Sequence, residues 1–264
     1  LRSEKTEIDP ISGSTGRGPA ENMPISVNSG LPHMSFDIFL NPPEVTEAER
    51  RLVMEALESG YIAPVGPQVN RFEKELTRIL GLEEMQAVVS GTAAIHLSLK
   101  ALGVGPGDCV LCPDLTFIAS VNPVRYLGAE PVLVDVDPAN WAIDIEASRE
   151  AIHALRREGR RVGALVVVHA FGIPAPMEAI MAMAREEAVP VLEDCAGAFG
   201  SRIGDISVGH FGDAAAFSFN GNKVVTTSGG GALYLKDPAL RPATRRGANQ
   251  GTQPGAMGYV HHEV

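Results

Sequence analysis

Ala164-Leu165-Val166-Val167-Val168-His169 is the stretch whose reading decides the fold. A strand with one wet face alternates polar and apolar residues. A run that is apolar at every position marks a strand covered on both faces, as in a parallel sheet with flanking helices. Residues 131–136 (PVLVDV) and 190–194 (PVLED) read the same way. Amphipathic segments lie between and after them, at 145–157 and 177–187. Upstream, residues 44–59 place Val45, Leu52, Val53 and Leu57 at helical spacing before Gly60, a stop signal. Residues 68–79 form a second helix with Phe72, Leu76 and Ile79 inward. A short strand at 87–89 runs through Ser90-Gly91-Thr92 into a helix at 93–102, and a strand at 109–112 precedes a helix at 118–127. Downstream, 214–219 (AAAFSF) and 232–235 (ALYL) flank a Gly-rich turn and suit two strands at one edge of the sheet. This alternation predicts an α/β fold with a mostly parallel sheet, expected to have seven strands, flanked by helices and without internal repeats.

Bulk composition excludes classes without naming a chemistry. The chain has 264 residues, 45% of them hydrophobic, and 28 Gly with 19 Pro, which is below low-complexity levels. A net charge of −10 argues against nucleic-acid partners and a polybasic membrane anchor. Apolar runs fall short of the ~18 residues of a spanning helix. Three Cys suit a reducing compartment, so a cytoplasmic location is expected. Residues 1–35 lack apolar periodicity and are expected to be a disordered arm. The first residue is Leu, with Met23 and Met34 as available starts, so part of that arm is expected to be upstream sequence.

In open α/β sheets ligands bind beyond the carboxyl ends of the strands, so the residues following each strand matter most. Ser90-Gly91-Thr92-Ala93-Ala94 opens a helix with unpaired N–H groups suited to a phosphate. Glu193-Asp194 ends a strand with carboxylates that can hold a ribose, a metal or a ring nitrogen. Lys223 sits in a Gly- and Thr-rich turn, where a desolvated amine is a nucleophile toward carbonyls. Taken singly, each has a plainer reading that is at least as good: an N-cap, a helix cap, a solvated surface lysine. Together they match the needs of pyridoxal phosphate (PLP), with a phosphate cradle, a carboxylate for the pyridine nitrogen and an amine for the aldehyde. A dinucleotide site competes for the phosphate cradle, but no GxGxxG follows any strand.

These residues resemble the DegT/DnrJ/StrS family of nucleotide-sugar aminotransferases, PLP enzymes of fold type I, over essentially all of the chain from Ile38 onward. The resemblance is carried by Tyr61-Ile62-Ala63-Pro64-Val65-Gly66-Pro67, by Ser90-Gly91-Thr92-Ala93-Ala94 and by Leu115-Thr116-Phe117-Ile118-Ala119-Ser120-Val121-Asn122. Val134-Asp135-Val136-Asp137, His169-Ala170-Phe171-Gly172, Glu193-Asp194-Cys195-Ala196 and Phe217-Ser218-Phe219-Asn220-Gly221-Asn222-Lys223 complete it.

It implies that Lys223 is catalytic and that Gly91, Thr92, Ala93 and Ser218 hold the cofactor phosphate. Asp194 would support the ring nitrogen and Phe117 stack on the ring. Tyr61, Pro64 and Asn222 would lie near substrate. The activity implied is ping-pong transamination, with glutamate as donor and a nucleotide-linked 4-keto-6-deoxy sugar as acceptor. A UDP-N-acetylhexosamine fits the Asn-Gly-Asn-Lys variant best, and a GDP-linked sugar is the alternative. The product would serve cell-surface polysaccharide or glycan synthesis, and the assembly would be a homodimer.

Two departures stand out. Gly197 occupies a position where the family usually has Gln, Glu or His against the cofactor. The chain ends at Gly258-Tyr259-Val260-His261-His262-Glu263-Val264, which resembles the stretch just before a family loop. The large PLP-binding domain is therefore expected over 36–264, with the small C-terminal subdomain missing. An inactive fragment or a non-enzymatic dimerising paralogue is the rival from another class. A related sugar dehydratase would carry His in place of Lys223.

Elsewhere the plain readings are preferred. Cys109 and Cys112 form a CxxC inside a predicted strand, where residues three apart face opposite ways. His261-His262-Glu263 is read as solvated, Trp141 as a packing residue after a turn, and His169 as a core histidine at the active-site edge. No metal is expected.

Overall fold

The computed structural model describes residues 43–249. The arm expected over 1–35, the start of the resemblance at Ile38 and the segment from Gly258 to Val264 lie outside the described residues.

Helix α1 (Glu47–Ser59) starts at Thr46, whose side chain and that of Glu49 form a capping box, and stops at Gly60 in the left-handed region (φ 73°). It begins three residues later than the periodicity predicts, because the cap sits at Thr46. Of the residues with helical spacing, Val45 lies before the helix, and it, Val53 and Leu57 are exposed. Helix α2 (Pro67–Leu80) buries Leu76 and Leu80, leaves Phe72 partly covered and exposes Ile79.

Strand β1 (Gln86–Val88) leads into α3 (Gly91–Ala101), and β2 (Cys109–Pro113) follows. The predicted helix at 118–127 is broken into a 3-10 turn, Ile118–Ser120, and a short α4 (Asn122–Tyr126). Pro123 lacks the N–H that a continuous helix needs there, so a new helix starts around it. Then come β3 (Glu130–Val134), α5 (Ile145–Arg157), β4 (Val162–Val168), α6 (Met177–Glu186) and β5 (Val191–Asp194). A small hairpin of β6 (Arg202–Ile203) and β7 (Ile206–Ser207) follows, then β8 (Ala214–Ser218), β9 (Gly231–Leu235) and α7 (Arg241–Ala248). The hairpin and α7 have too little apolar periodicity to stand out in sequence.

The central sheet has seven strands in the order β1-β9-β8-β5-β4-β2-β3. Pairings from β3 through β8 are parallel, and β8–β9 and β9–β1 are antiparallel. The β8–β9 pair is not at the edge as expected, because β1 pairs outside β9. Its connection, residues 219–230, is a long excursion rather than a tight turn.

The continuous apolar strands are buried on both faces. Leu165 and Val167 of β4 pack into one core with Ile152 and Ile180; Ala164 and Val166 pack into another with Ile95 and Leu99. At about 1.5–3 kcal/mol per fully buried large aliphatic side chain, these two layers supply the main drive for folding. Across one end, Glu187 joins α5 to α6 through Arg149, His153 and Arg156. Burial alone would raise its carboxyl pKa, but the His153 hydrogen bond and the nearby guanidinium groups outweigh that and hold it below the usual range.

The CxxC splits as its strand position requires. Cys109 joins the first core, with Leu111, and Cys112 the second, with Val110. Burial raises the Cys109 thiol pKa, pushes Cys112 up to about 12 and carries Cys195 well above its ordinary value. Since the thiolate is the reactive form, iodoacetamide is expected to leave all three unmodified in the folded chain and to label all three in denaturant. Native labelling of any of them, read by peptide mass, would contradict this packing.

Candidate active site

The carboxyl ends of β2, β4, β5 and β8 and the amino end of α3 surround a cavity of about 710 Å³. Gly91, Thr92, Phe117, Asp194, Ser218, Asn222 and Lys223 all line it. Ala93, Tyr61 and Pro64 do not. Tyr61 is 56% exposed, and its ring lies 3.0 Å from where a Cβ on Gly66 would be, so that loop folds upon itself.

One end of the cavity is the entry to α3. The Ser90 side chain caps the helix by accepting the Ala93 N–H at 3.1 Å, and the Ala94 N–H reaches the Ser90 carbonyl at 3.0 Å. The N–H groups of Gly91 and Thr92 precede these and have no intrahelical acceptor. With the Thr92 and Ser218 hydroxyls beside them, they form a donor set for an anion at the positive end of the helix dipole.

Two glycines are required by close approach here. A Cβ on Gly91 would lie 2.7 Å from the Ser218 Cβ, and one on Gly231 would lie 2.4 Å from the Ser90 carbonyl carbon and oxygen. The turn therefore lies directly on β8 and β9, with Gly91 and Thr92 in the cavity wall.

Asp194, 4% exposed, ends β5. Its Oδ1 accepts the Ala196 N–H at 3.0 Å and its Oδ2 accepts from the Ser120 hydroxyl at 2.6 Å. Phe117 is 73% exposed at the cavity wall. Lys223 is half-buried, in the turn after β8, and its N–H reaches the Asn220 carbonyl at 2.9 Å. Gly197 also lines the cavity. A Cβ there would meet only the His169 carbonyl at 3.7 Å and the Phe171 nitrogen at 3.9 Å, ordinary contacts, so nothing in the backbone demands glycine.

Under the cavity floor, Glu193 is fully buried. It accepts N–H groups from Gly209, Phe211 and Gly212, and His169 Nε2 stands 3.0 Å from its Oε2. His169 Nδ1 accepts the Ala175 N–H, so the ring proton is on Nε2 and is given to Glu193. His169, Glu193 and Cys195 offer ligand atoms within 4.8 Å of one another, but both ring nitrogens are already used and the carboxylate is filled with donors. His169 is thus the core histidine expected, while Trp141 is 45% exposed and meets Phe171 edge-to-face at 5.6 Å.

Sequence reasoning left unassigned Thr116 and Ser120, which also line the cavity. Two hydroxyls four residues apart just beyond a buried strand are the signal that could have found them.

Fold and site together define the class: a fold-type-I α/β domain with a cavity at its strand ends that offers an anion cradle, a carboxylate and an amine. The chain belongs to the DegT/DnrJ/EryC1/StrS aminotransferase family, whose model matches residues 43–264. It is 40% identical over 231 residues to Bacillus subtilis EpsN, which carries the name of a pyridoxal phosphate-dependent aminotransferase; the match covers 88% of this chain and 59% of that protein. It is 38% identical to GDP-perosamine synthase of Escherichia coli O157:H7, covering 75% of this chain and 53% of the relative. It is also 38% identical to an Acidithiobacillus ferrooxidans aminotransferase of UDP-N-acetyl-3-dehydro-α-D-glucosamine, covering 76% and 52%.

Among solved structures, 3-amino-5-hydroxybenzoic acid synthase superposes with TM-score 0.79 at 33% identity over 86% of this chain and 58% of its own. The PLP form of Spr1654 from Streptococcus pneumoniae, assigned as a sugar aminotransferase, gives TM-score 0.76 at 26% identity over 86% and 62%. The chain spans a little over half the length of the curated relatives it matches. No helix among the described residues is long and apolar enough to cross a membrane.

Proposed function

We propose that this chain, over residues 36–264, is the cofactor-binding portion of a PLP-dependent aminotransferase that acts on a nucleotide-linked keto sugar. The observation that carries the reading is the meeting, in one cavity, of the α3 anion cradle, the Asp194 carboxylate and the Lys223 amine. The donor set fits a phosphate monoester, and the two glycine approaches leave room for it.

Bound there, PLP supplies the aldehyde and the electron-withdrawing ring through which an amino group passes between carbon atoms. The Gly91 and Thr92 N–H groups, with the Thr92 and Ser218 hydroxyls, would hold the phosphate. Ala93 shapes that turn, since its own N–H goes to Ser90. Asp194 would accept from the ring nitrogen, and Phe117 would cover a ring face. Lys223 Nζ would be the amine offered to the aldehyde and the group that holds and returns a proton beside it. Asn222 would face substrate, whereas Tyr61 and Pro64, from the loop before α2, lie off the cavity wall and take no part in it.

Glutamate is the donor, and a UDP-linked 4-keto-6-deoxy-N-acetylhexosamine is the acceptor, on the likeness of the Asn-Gly-Asn-Lys segment. A GDP-linked keto sugar is the second reading, favoured by the identity to GDP-perosamine synthase. The product would feed polysaccharide or glycan synthesis, in a cytoplasmic homodimer.

Titrating the purified chain with PLP should produce a visible absorbance band near about 420 nm. L-glutamate should then remove the band as 2-oxoglutarate appears, and a UDP- or GDP-linked keto sugar should restore it. A chain that gives no band at saturating PLP is not an aminotransferase domain of this kind.

A further inference from the structure

We propose that Ser120, backed by Thr116, is a positioning residue that sets the orientation of Asp194 in the cavity. The inference rests on the cofactor reading above and goes beyond it by naming residues that reach the cofactor only through another side chain.

Asp194 has two fixed contacts. The Ala196 N–H, two residues along the same chain, ties Oδ1. The other comes from 74 residues away: the Ser120 hydroxyl, 1% exposed, lies 2.6 Å from Oδ2. Ser120 has one proton to give, and a carboxylate can only accept. That proton therefore goes to Asp194, and the Thr116 hydroxyl, 2.7 Å from Ser120 Oγ, donates to Ser120 in turn.

The result is a one-directional chain, Thr116 to Ser120 to Asp194, running from the end of β2 across to the end of β5. An N–H from its own turn leaves a carboxylate free to rotate about one oxygen. A second donor on the other oxygen fixes its plane. The lone pairs left over then point at one place in the cavity, where the ring nitrogen of a bound PLP would be met. Both hydroxyls border the cavity, so the chain also fills a wall that would otherwise admit water beside the carboxylate.

The full chain, Ser120→Ala, Ser120→Thr and Asp194→Asn are each titrated with PLP, and the visible band is followed against pH. Ser120→Ala should bind PLP about tenfold more weakly, the loss of one hydrogen bond to a charged group. It should also move the pH at which the band is half-developed, in the same direction as Asp194→Asn. Ser120→Thr keeps the hydroxyl and should restore both values. A purely structural serine would change the melting temperature and leave the pH midpoint alone.

Ser120→Ala with unchanged affinity and midpoint, beside an impaired Asp194→Asn, overturns the positioning role while leaving the cofactor reading intact. An unsubstituted chain that neither binds PLP nor shows the band overturns both. If Ser120→Ala does not fold, Thr116→Val serves in its place. It keeps the Ser120–Asp194 contact and removes the donor behind it, so it should shift both values the same way by less, and no shift overturns the proposal.

Discussion

Lys223→Ala is expected to abolish the visible band at saturating PLP and to lower transamination by about 10²–10⁴-fold, the usual worth of a positioned acid–base group. The lysine is dispensable for everything else the cavity does. The anion cradle is made by the α3 entry and Ser218 and the carboxylate is held by Ala196 and Ser120, so the Lys223 side chain builds neither. PLP should therefore still bind Lys223→Ala, with an affinity set by phosphate and ring contacts, and without a covalent link. Borohydride treatment separates the cases. In the unsubstituted chain it should leave a stable mass increment on the peptide that contains residue 223, and in the variant none. Lys223→Arg keeps the charge, which no carbonyl chemistry can use, and should behave like Lys223→Ala. A band that survives either substitution means that another amine is the nucleophile.

That Lys223 could be singled out from sequence follows from where it stands. Strand ends in an open parallel sheet are the ligand edge, and the uninterrupted apolar runs of β4, β5 and β8 mark those ends in the sequence itself. The placement of Asp194 and of the Ser90–Thr92 turn at the cavity is legible for the same reason, whereas Ser218 enters only through the family resemblance. What could not be read is what depends on approach between distant segments. Nothing local tells that Ser120 reaches across to Asp194, or that Gly231 is glycine because the Ser90 carbonyl lies against it. The exposed side of α1 is a further case: Val53 and Leu57 have helical spacing, which predicts a covered side without saying what covers it. The long excursion between β8 and β9 was misjudged because a Gly-rich composition suits a tight turn as well as a loop that wraps a cavity.

Glu193 is where the largest loss of stability is expected. The Glu-Asp pair at the end of β5 reads as one motif, yet the structure gives its two carboxylates different work. Alternation along the strand turns Asp194 toward the cavity and Glu193 to the opposite face, where it has no exposure. There it accepts three backbone N–H groups of the 209–212 loop and the ring N–H of His169. Those donors have no other partner among the described residues, so the carboxylate ties β5, β4 and the segment entering β8 together beneath the site. Glu193→Gln keeps the shape but replaces one acceptor oxygen by an NH₂ group that confronts N–H donors. Glu193→Ala leaves all four donors unsatisfied. Removing one partner from a buried charged network costs about 3–5 kcal/mol, a large share of the roughly 5–15 kcal/mol that holds a domain together. For a domain of this size that is a fall of about 10 °C in melting temperature, followed by circular dichroism. His169→Gln should cost less, since the three loop N–H groups keep their carboxylate acceptor and only the ring N–H and the acceptor of the Ala175 N–H are lost. Glu193→Gln melting with the unsubstituted chain would show that the loop and His169 do not depend on this carboxylate.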